Sequence, residues 1–213
     1  MKTDSLGFEQ LKETAKLSAS ERADIAALLY KTDPYIYPAM CPFGAFIQIV
    51  SELMESGRDT MFHKRNLFVL RSGGEIAGVL LWTKGKLLWD SGPFLDCAHQ
   101  KKVRLPGSFE AVNREYFRSY AADTPGIQII NVCIKPSHWH QGLGGLLLRS
   151  FLRAHPEEER FELVTLADNL PAVRLYRSAG FRVEETCEGF AVGRRPMCLK
   201  MCCQRQHGQL GRS

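Results

Sequence analysis

Eight consecutive residues, His138-Trp139-His140-Gln141-Gly142-Leu143-Gly144-Gly145, offer two kinds of chemistry. Two alternating histidines on an extended segment share one face and could clip a metal. Zinc, however, takes three or four protein ligands, and no C-x-x-C or H-E-x-x-H elsewhere supplies the rest, so no metal is expected. The glycines point to different chemistry. Without Cβ atoms the backbone can approach a ligand closely, and a helix starting among them leaves unpaired N–H groups and roughly half a positive charge facing it. That combination makes a cradle for phosphate.

The elements on either side decide whether the cradle can form. "IQIINVCIKP" before it reads as a buried strand ending at Pro136, and "GGLLLRSFLRAH" after it as a helix beginning near Leu143. Two phosphate-loop types fail on spacing. A P-loop needs G-x-x-x-x-G-K-[ST], and no Lys follows these glycines. A dinucleotide fingerprint needs G-x-G-x-x-G, but Leu147 stands where the third glycine belongs, and the acidic residue about 20 positions on, Glu162, opens its strand instead of closing it.

Downstream come "RFELVTLAD" as a strand, "LPAVRLYRSA" as a helix ending at Gly180, and "FRVEETCEGFAV" with "RPMCLKMCC" as a closing antiparallel pair. With this second segment, "VCIKPSHWHQGLGGLLL" and "NLPAVRLYRSAGF" together resemble the acyl-CoA loop and the N-x-x-A-x-x-x-Y-x-x-x-G-F segment of the GNAT superfamily of N-acyltransferases. Asn169, Ala172, Tyr176, Gly180 and Phe181 carry the second match. The resemblance covers about residues 66–83 and 126–203, is weaker over 8–65 and is absent over 91–125. One departure stands out: Trp139 occupies the position where that family has Gln or Arg.

The resemblance implies an α/β (α+β) fold with a mixed, mostly antiparallel sheet flanked by helices, and acetyl-CoA as co-substrate. Main-chain groups of Val132 and Ile134, with Cys133 between them, would pair with the pantetheine arm as an added strand. Amides of His140, Gln141, Gly142, Gly144 and Gly145 would hold the pyrophosphate. Asn169 would approach the cofactor, although its place before Pro171 also fits a plain N-cap. Tyr176 would protonate the CoA thiolate, since a phenol near 10 still holds its proton at neutral pH and has one to give as the C–S bond breaks. Its place on an apolar stripe with Ala172, Leu175 and Ala179 equally fits a packed core tyrosine.

An amine acceptor must lose a proton before it attacks. Two positions that often carry a base Glu in relatives hold Gln128 and Val164, and neither titrates. The remaining bases are a water relay, Asp33, Asp90 or Glu55. Asp33 ranks first, because in this fold the loop between the first two helices walls the acceptor site. Tyr35 and Tyr37 beside it suit an amine pocket or a staple of the loop to the core. The oxyanion would meet a strand amide near Cys133; Cys133 as a covalent nucleophile is the lesser alternative, lacking an obvious His partner.

The reading is therefore an acetyl-CoA-dependent N-acetyltransferase acting on a primary amine, small-molecule or protein, by direct attack. A non-catalytic acyl-CoA-binding module of the same fold is the alternative. Composition agrees without selecting: 213 residues, 45% hydrophobic, can bury one substantial core, and a charge of +5 suits an anionic ligand as well as a solvated surface, so nucleic acid is not expected. Neither a span of about 18 apolar residues nor a basic-then-apolar leader is visible, which predicts a cytoplasmic chain without a membrane role, monomer or homodimer. Seven scattered cysteines predict reduced thiols.

Towards the N-terminus, Phe8 to Leu17 reads as a short first strand and Ser18 to Ser20 as the cap of a helix over "ERADIAALLYK". "TDPYIYP" reads as a loop, and Phe43 to Glu55 as a helix. "NLFVLRSGGEIAGVLLW" reads as a hairpin that "KLLWD" extends. Residues 91–107 read as loop and "SFEAVNREYFRSYAA" as a helix with Phe109, Val112, Tyr116 and Tyr120 inward, ending in a turn at 123–126. One domain over 1–203 with an unusual insert at 91–125, and a disordered 204–213, completes the expectation.

Overall fold

The computed structural model describes residues 6–85, 90–119, 126–189 and 191–205, with the backbone alone for 116–119. The expectations for "KLLWD", for Tyr116 and Tyr120, for the turn at 123–125 and for the tail beyond 205 lie outside the described residues.

Strands β1 (Leu6–Gln10), β2 (Leu67–Ser72), β3 (Glu75–Lys84), β4 (Ile127–Ile134), β5 (Arg160–Leu166), β6 (Arg182–Glu188) and β7 (Met197–Gln204) form one sheet in the order β1-β2-β3-β4-β5-β7-β6. Every neighbouring pair is antiparallel except β4 with β5, as a mixed, mostly antiparallel sheet requires. The β2–β3 hairpin turns at Gly73 and Gly74, both at positive φ, as its sequence predicts.

Each face of the sheet has its own apolar core. One lies beneath α1 (Ala19–Thr32), α2 (Ile36–Met40), α3 (Phe43–Leu53), α4 (Gly92–Gln100) and α5 (Ser108–Ser119); Tyr37, Phe46 and Phe62 are at its centre, with ring centroids 4.9 Å apart for Tyr37 and Phe46 and 5.7 Å for Phe46 and Phe62. The other lies beneath α6 (Leu143–Ala154) and α7 (Leu170–Ser178), around Phe151, Phe161 and Phe181. Full burial of side chains this size is worth about 1.5–3 kcal/mol apiece, so the two cores anchor the two helical layers independently.

Local signals explain the element ends. Ser18 and Glu21 close a reciprocal capping box at α1, Glu21 N–H donating to Ser18 Oγ at 3.1 Å and Ser18 N–H to Glu21 Oε2 at 2.8 Å. Three expectations need correction. The first strand stops at Gln10, well short of Leu17. The one-turn helix α2 begins inside "TDPYIYP" and runs past it: Pro38 falls in its first turn, where an N–H would have no helical partner to lose. The stretch expected as loop after residue 91 begins with α4, because Pro93 also falls in a first turn and Phe94, Cys97 and Ala98 then bury one helical face. Among the described residues no helix is long and apolar enough to cross a membrane, and all seven cysteines are free thiols.

Candidate active site at the divergence of β4 and β5

The parallel pair β4–β5 holds together only at Ile127–Phe161, Gln128–Glu162 and Ile129–Leu163. Beyond that point β5 continues against β7, and β4 continues against β3, so the facing edges of the two strands part. The parting coincides with a bulge: Leu81 pairs with Asn131 while its neighbour Trp82 pairs with Ile129, leaving Ile130 as the extra residue of β4. Lys135 N–H donates to Ala77 O at 2.8 Å, towards β3. Strand alternation then turns the main-chain groups of Val132 and Ile134 to the cleft edge, and leaves Cys133 facing β3. Val132 and Ile134 thus offer half-buried, strand-like donors and acceptors to whatever enters, and an amide-bearing arm fits such an edge. One acceptor is already engaged: the Trp139 indole N–H donates to Ile134 O at 2.7 Å.

The strand leads through a single turn at Pro136–His138 into the glycine-rich loop and α6. His140 (φ 60°) and Gly142 (φ 73°) both take the left-handed conformation, which curls the backbone so that successive amides converge ahead of the helix. Gly142 is the N-cap, has no side-chain cap, and would meet nothing within 4 Å if it carried a Cβ, so its glycine answers to φ and to open space in front of the helix. A Cβ at Gly144 would stand 3.5 Å from Leu175 of α7 and 3.7 Å from Ile134, so this position of the loop faces the next helix. The Gln141 amide turns back to Ser137 O at 3.4 Å, and His138 Nδ1 lies 2.9 Å from Ser137 Oγ. The two histidines are local loop residues, and among the described residues no His, Cys, Asp and Glu cluster could hold a metal.

On α7, Asn169 is the N-cap, its Oδ1 accepting from Ala172 N–H at 3.3 Å. Tyr176, 8% exposed, lies in the core beneath α6 and α7, yet its hydroxyl has no hydrogen-bond partner among the described residues. Burial pushes its phenol up to about 12, and neighbouring Cys133 adds to the shift. Burial also pushes the Cys133 thiol up to about 11 despite Lys31 nearby. Such a thiol is scarcely ionised at neutral pH, which weighs against it as a nucleophile.

The other face of the cleft is built from side chains. Asn131, buried on β4 just past the bulge, accepts from Tyr37 Oη at 2.8 Å and donates to Thr32 Oγ1 at 2.6 Å, tying the end of α1 and the start of α2 to the strand. Asp33 lies in that tied loop. Its Oδ1 accepts from Tyr35 N–H at 2.8 Å and Ile36 N–H at 2.9 Å; burial raises its carboxyl above the ordinary Asp value, and those two bonds only partly offset it. The loop reaches across to β6–β7, where the Arg194 guanidinium lies 3.8 Å over the Tyr35 ring and Asp33 is near enough to Cys198 to act on its thiol. Glu55 and Asp90 are committed elsewhere: Glu55 pairs with Lys64 at 2.6 Å, and Asp90 Oδ1 accepts from Gly92 N–H at 2.8 Å as α4 begins. Gln128 is buried on the Asp33 side of the sheet. Sequence reasoning missed Asn131, although a polar residue inside the apolar run "IINVCI" was a visible signal.

A sheet opened between two parallel central strands, with a glycine-rich turn and free helix amides at one end and a phenol without a described partner inside, offers a strand edge and a row of donors to an extended ligand. Residues 45–181 match the family model for acetyltransferases of the GNAT family, and the chain belongs to that family. Solved structures show the same fold. An N-acetyltransferase from Staphylococcus aureus Mu50 superposes with TM-score 0.65 at 14% identity, covering 92% of this chain and 99% of that one. The protein yncA from Salmonella typhimurium, solved with its cofactor acetyl-CoA, superposes with TM-score 0.54 at 14% identity over 98% of each chain. Among curated proteins, the UPF0157 protein YqkA of Bacillus subtilis is 34% identical over 68 residues; that is 32% of this chain and 20% of YqkA, so the chain matches about a fifth of that relative's length.

Proposed function

We propose that this protein moves an acetyl group from acetyl-CoA to a primary amine by direct attack of the amine on the thioester. The observation that carries the reading is Tyr176: a phenol held protonated up to about 12, free of hydrogen-bond partners among the described residues, next to Cys133 on the strand that borders the cleft. The hydroxyl keeps its proton at neutral pH and no described partner competes for it, so it is free to hydrogen-bond the sulfur as charge builds there. The raised value makes it a weak acid, and donation is driven by the breaking C–S bond, not by a lower acidity of the thiol.

Acetyl-CoA supplies the activated acyl group; the protein's residues orient it and move protons. Val132 and Ile134 line the pantetheine arm along the open edge of β4, and amides of His140, Gln141, Gly142, Gly144 and Gly145 face the pyrophosphate. Asn169 contributes by fixing the start of α7 and therefore the position of Tyr176. Asp33 takes the proton that the amine loses; the raised carboxyl makes it a stronger base than a surface Asp. As the C–N bond forms and the C–S bond breaks, a strand amide near Cys133 holds the oxyanion, and Tyr176 passes its proton to sulfur. The acceptor, a small molecule or a protein amine, approaches over the side bearing Asp33, Tyr35 and Tyr37.

The test is thiol release from acetyl-CoA with a panel of amines, wild type against Tyr176→Phe. The expected result is a fall of about 10²- to 10³-fold in turnover with cofactor binding retained. Tight CoA binding with no release for any amine would leave a non-catalytic CoA-binding module instead.

A further inference from the structure

The second turn of α6 carries a cation that no described protein group pairs, and its side chain reaches back over the first. Arg149 is half-buried on the helix and makes no hydrogen bond or ion pair among the described residues. Its side chain lies back over Gly145: a Cβ at Gly145 would stand 2.9 Å from Arg149 Nη1, 3.3 Å from Nη2 and 3.4 Å from Cζ. Helical side chains point towards the N-terminus and cover the residue four positions earlier, so this placement follows from the spacing, and the missing Cβ lets the guanidinium lie close to the helix. Electrostatically the position is unfavourable as it stands. Unpaired N–H groups and the positive end of the helix dipole are at that end, and cations are stabilised at the opposite one. An unpaired guanidinium there calls for an anion shared with the amides.

The residue that could have supplied a side-chain donor from the loop itself does not. Trp139, 56% exposed, spends its indole N–H on Ile134 O at 2.7 Å, back towards the strand and away from the mouth of the cradle. Trp139 therefore brings no charge to the loop amides, and Arg149 brings a guanidinium from the turn behind them. We propose that Arg149 is a side-chain ligand of the CoA diphosphate, closing over it from α6 while the amides of 140–145 hold it from the loop. The proposal rests on the CoA-dependent reading above and deepens it. A planar, two-pronged donor suits two neighbouring phosphate oxygens better than a point charge does.

Calorimetric titration of the full chain with CoA and with dephospho-CoA, which keeps the diphosphate and lacks the 3′-phosphate, provides the test. Arg149→Gln should weaken both ligands alike, by about 10- to 100-fold, and Arg149→Lys should recover part of the loss. The slope of affinity against salt should also become shallower in Arg149→Gln. Binding of CoA by Arg149→Gln within twofold of wild type overturns the proposal. So does a loss confined to CoA, which would put the guanidinium on the 3′-phosphate. The two readings fail differently: a wild-type chain that binds no CoA sinks acetyl transfer along with this assignment, whereas a binding wild type with an indifferent Arg149 sinks this assignment alone.

Discussion

The two faces of the sheet solve the same problem, placing polar groups at a buried cleft, by different means. Beneath α6 and α7 the polar groups are mainly backbone: the open edge of β4, the left-handed turn at His140 and Gly142, and the amides that open α6. Beneath α1 to α5 they are side chains gathered from far apart, Tyr37 meeting Asn131 across 94 positions and Thr32 meeting Asn131 across 99. A backbone site depends on local conformation, so almost any compatible sequence can build it around the right glycines. A side-chain site depends on tertiary packing, and changes with each residue that packs there.

The largest expected effect tests whether the two faces are energetically separate. Phe46 is fully buried against Tyr30, Tyr37 and Phe62, and Phe46→Ala should cost about 3–5 kcal/mol of unfolding free energy. Measured well below its lowered melting temperature, the variant should still bind CoA within about twofold of wild type, because the cradle packs on the other core. A tenfold loss of CoA affinity in the folded variant would break the comparison.

A smaller effect should follow from cutting the bridge between the faces. Asn131→Ala leaves the Tyr37 hydroxyl without the acceptor that Asn131 provides and frees Thr32 from the strand, for about 1–3 kcal/mol of stability by chemical denaturation. With amine turnover as the second readout, the KM for the amine should rise more than the KM for acetyl-CoA. Equal rises in both would show that the Thr32–Tyr37 loop serves the cofactor as much as the acceptor.

What could be read from the sequence divides along the same line. "IINVCIKP", the glycine loop and "NLPAVRLYRSAGF" each report a local backbone state, so β4, α6, α7 and the turn that opens α6 are legible with their boundaries nearly in place. Gly142 was legible because a positive φ favours that residue. By contrast, "TDPYIYP" conceals α2, since Pro38 signals a break everywhere except in a first turn, and Pro93 conceals α4 in the same way. The hold of Asn131 on the loop was illegible for a deeper reason: neither Thr32 nor Tyr37 carries a mark of the strand it touches. Trp139 could be seen as a departure from the family pattern, yet only the fold shows its indole turned onto Ile134.

The smallest expected change in stability belongs to Asp33, and it bears most directly on the acceptor side. Its Oδ1 accepts from Tyr35 and Ile36 N–H, and an Asn at this position keeps that oxygen, so Asp33→Asn should hold the loop while removing the charge. Burial raises the folded carboxyl above its unfolded value near 3.9. The folded state therefore holds the proton more tightly: the stabilising contribution is complete below the unfolded value and is lost as pH climbs through the folded one. At neutral pH the wild type carries a buried charge that the variant lacks, so Asp33→Asn should be at least as stable at pH 7 and should not share that decline on leaving acid. If Asp33 takes the amine's proton, the acid limb of kcat/KM should lie above the ordinary Asp range in the wild type and vanish in the variant, with turnover down by about 10²-fold. An acid limb that survives at the same pH in Asp33→Asn would move the base elsewhere and leave Asp33 as the brace that holds α2 against β4.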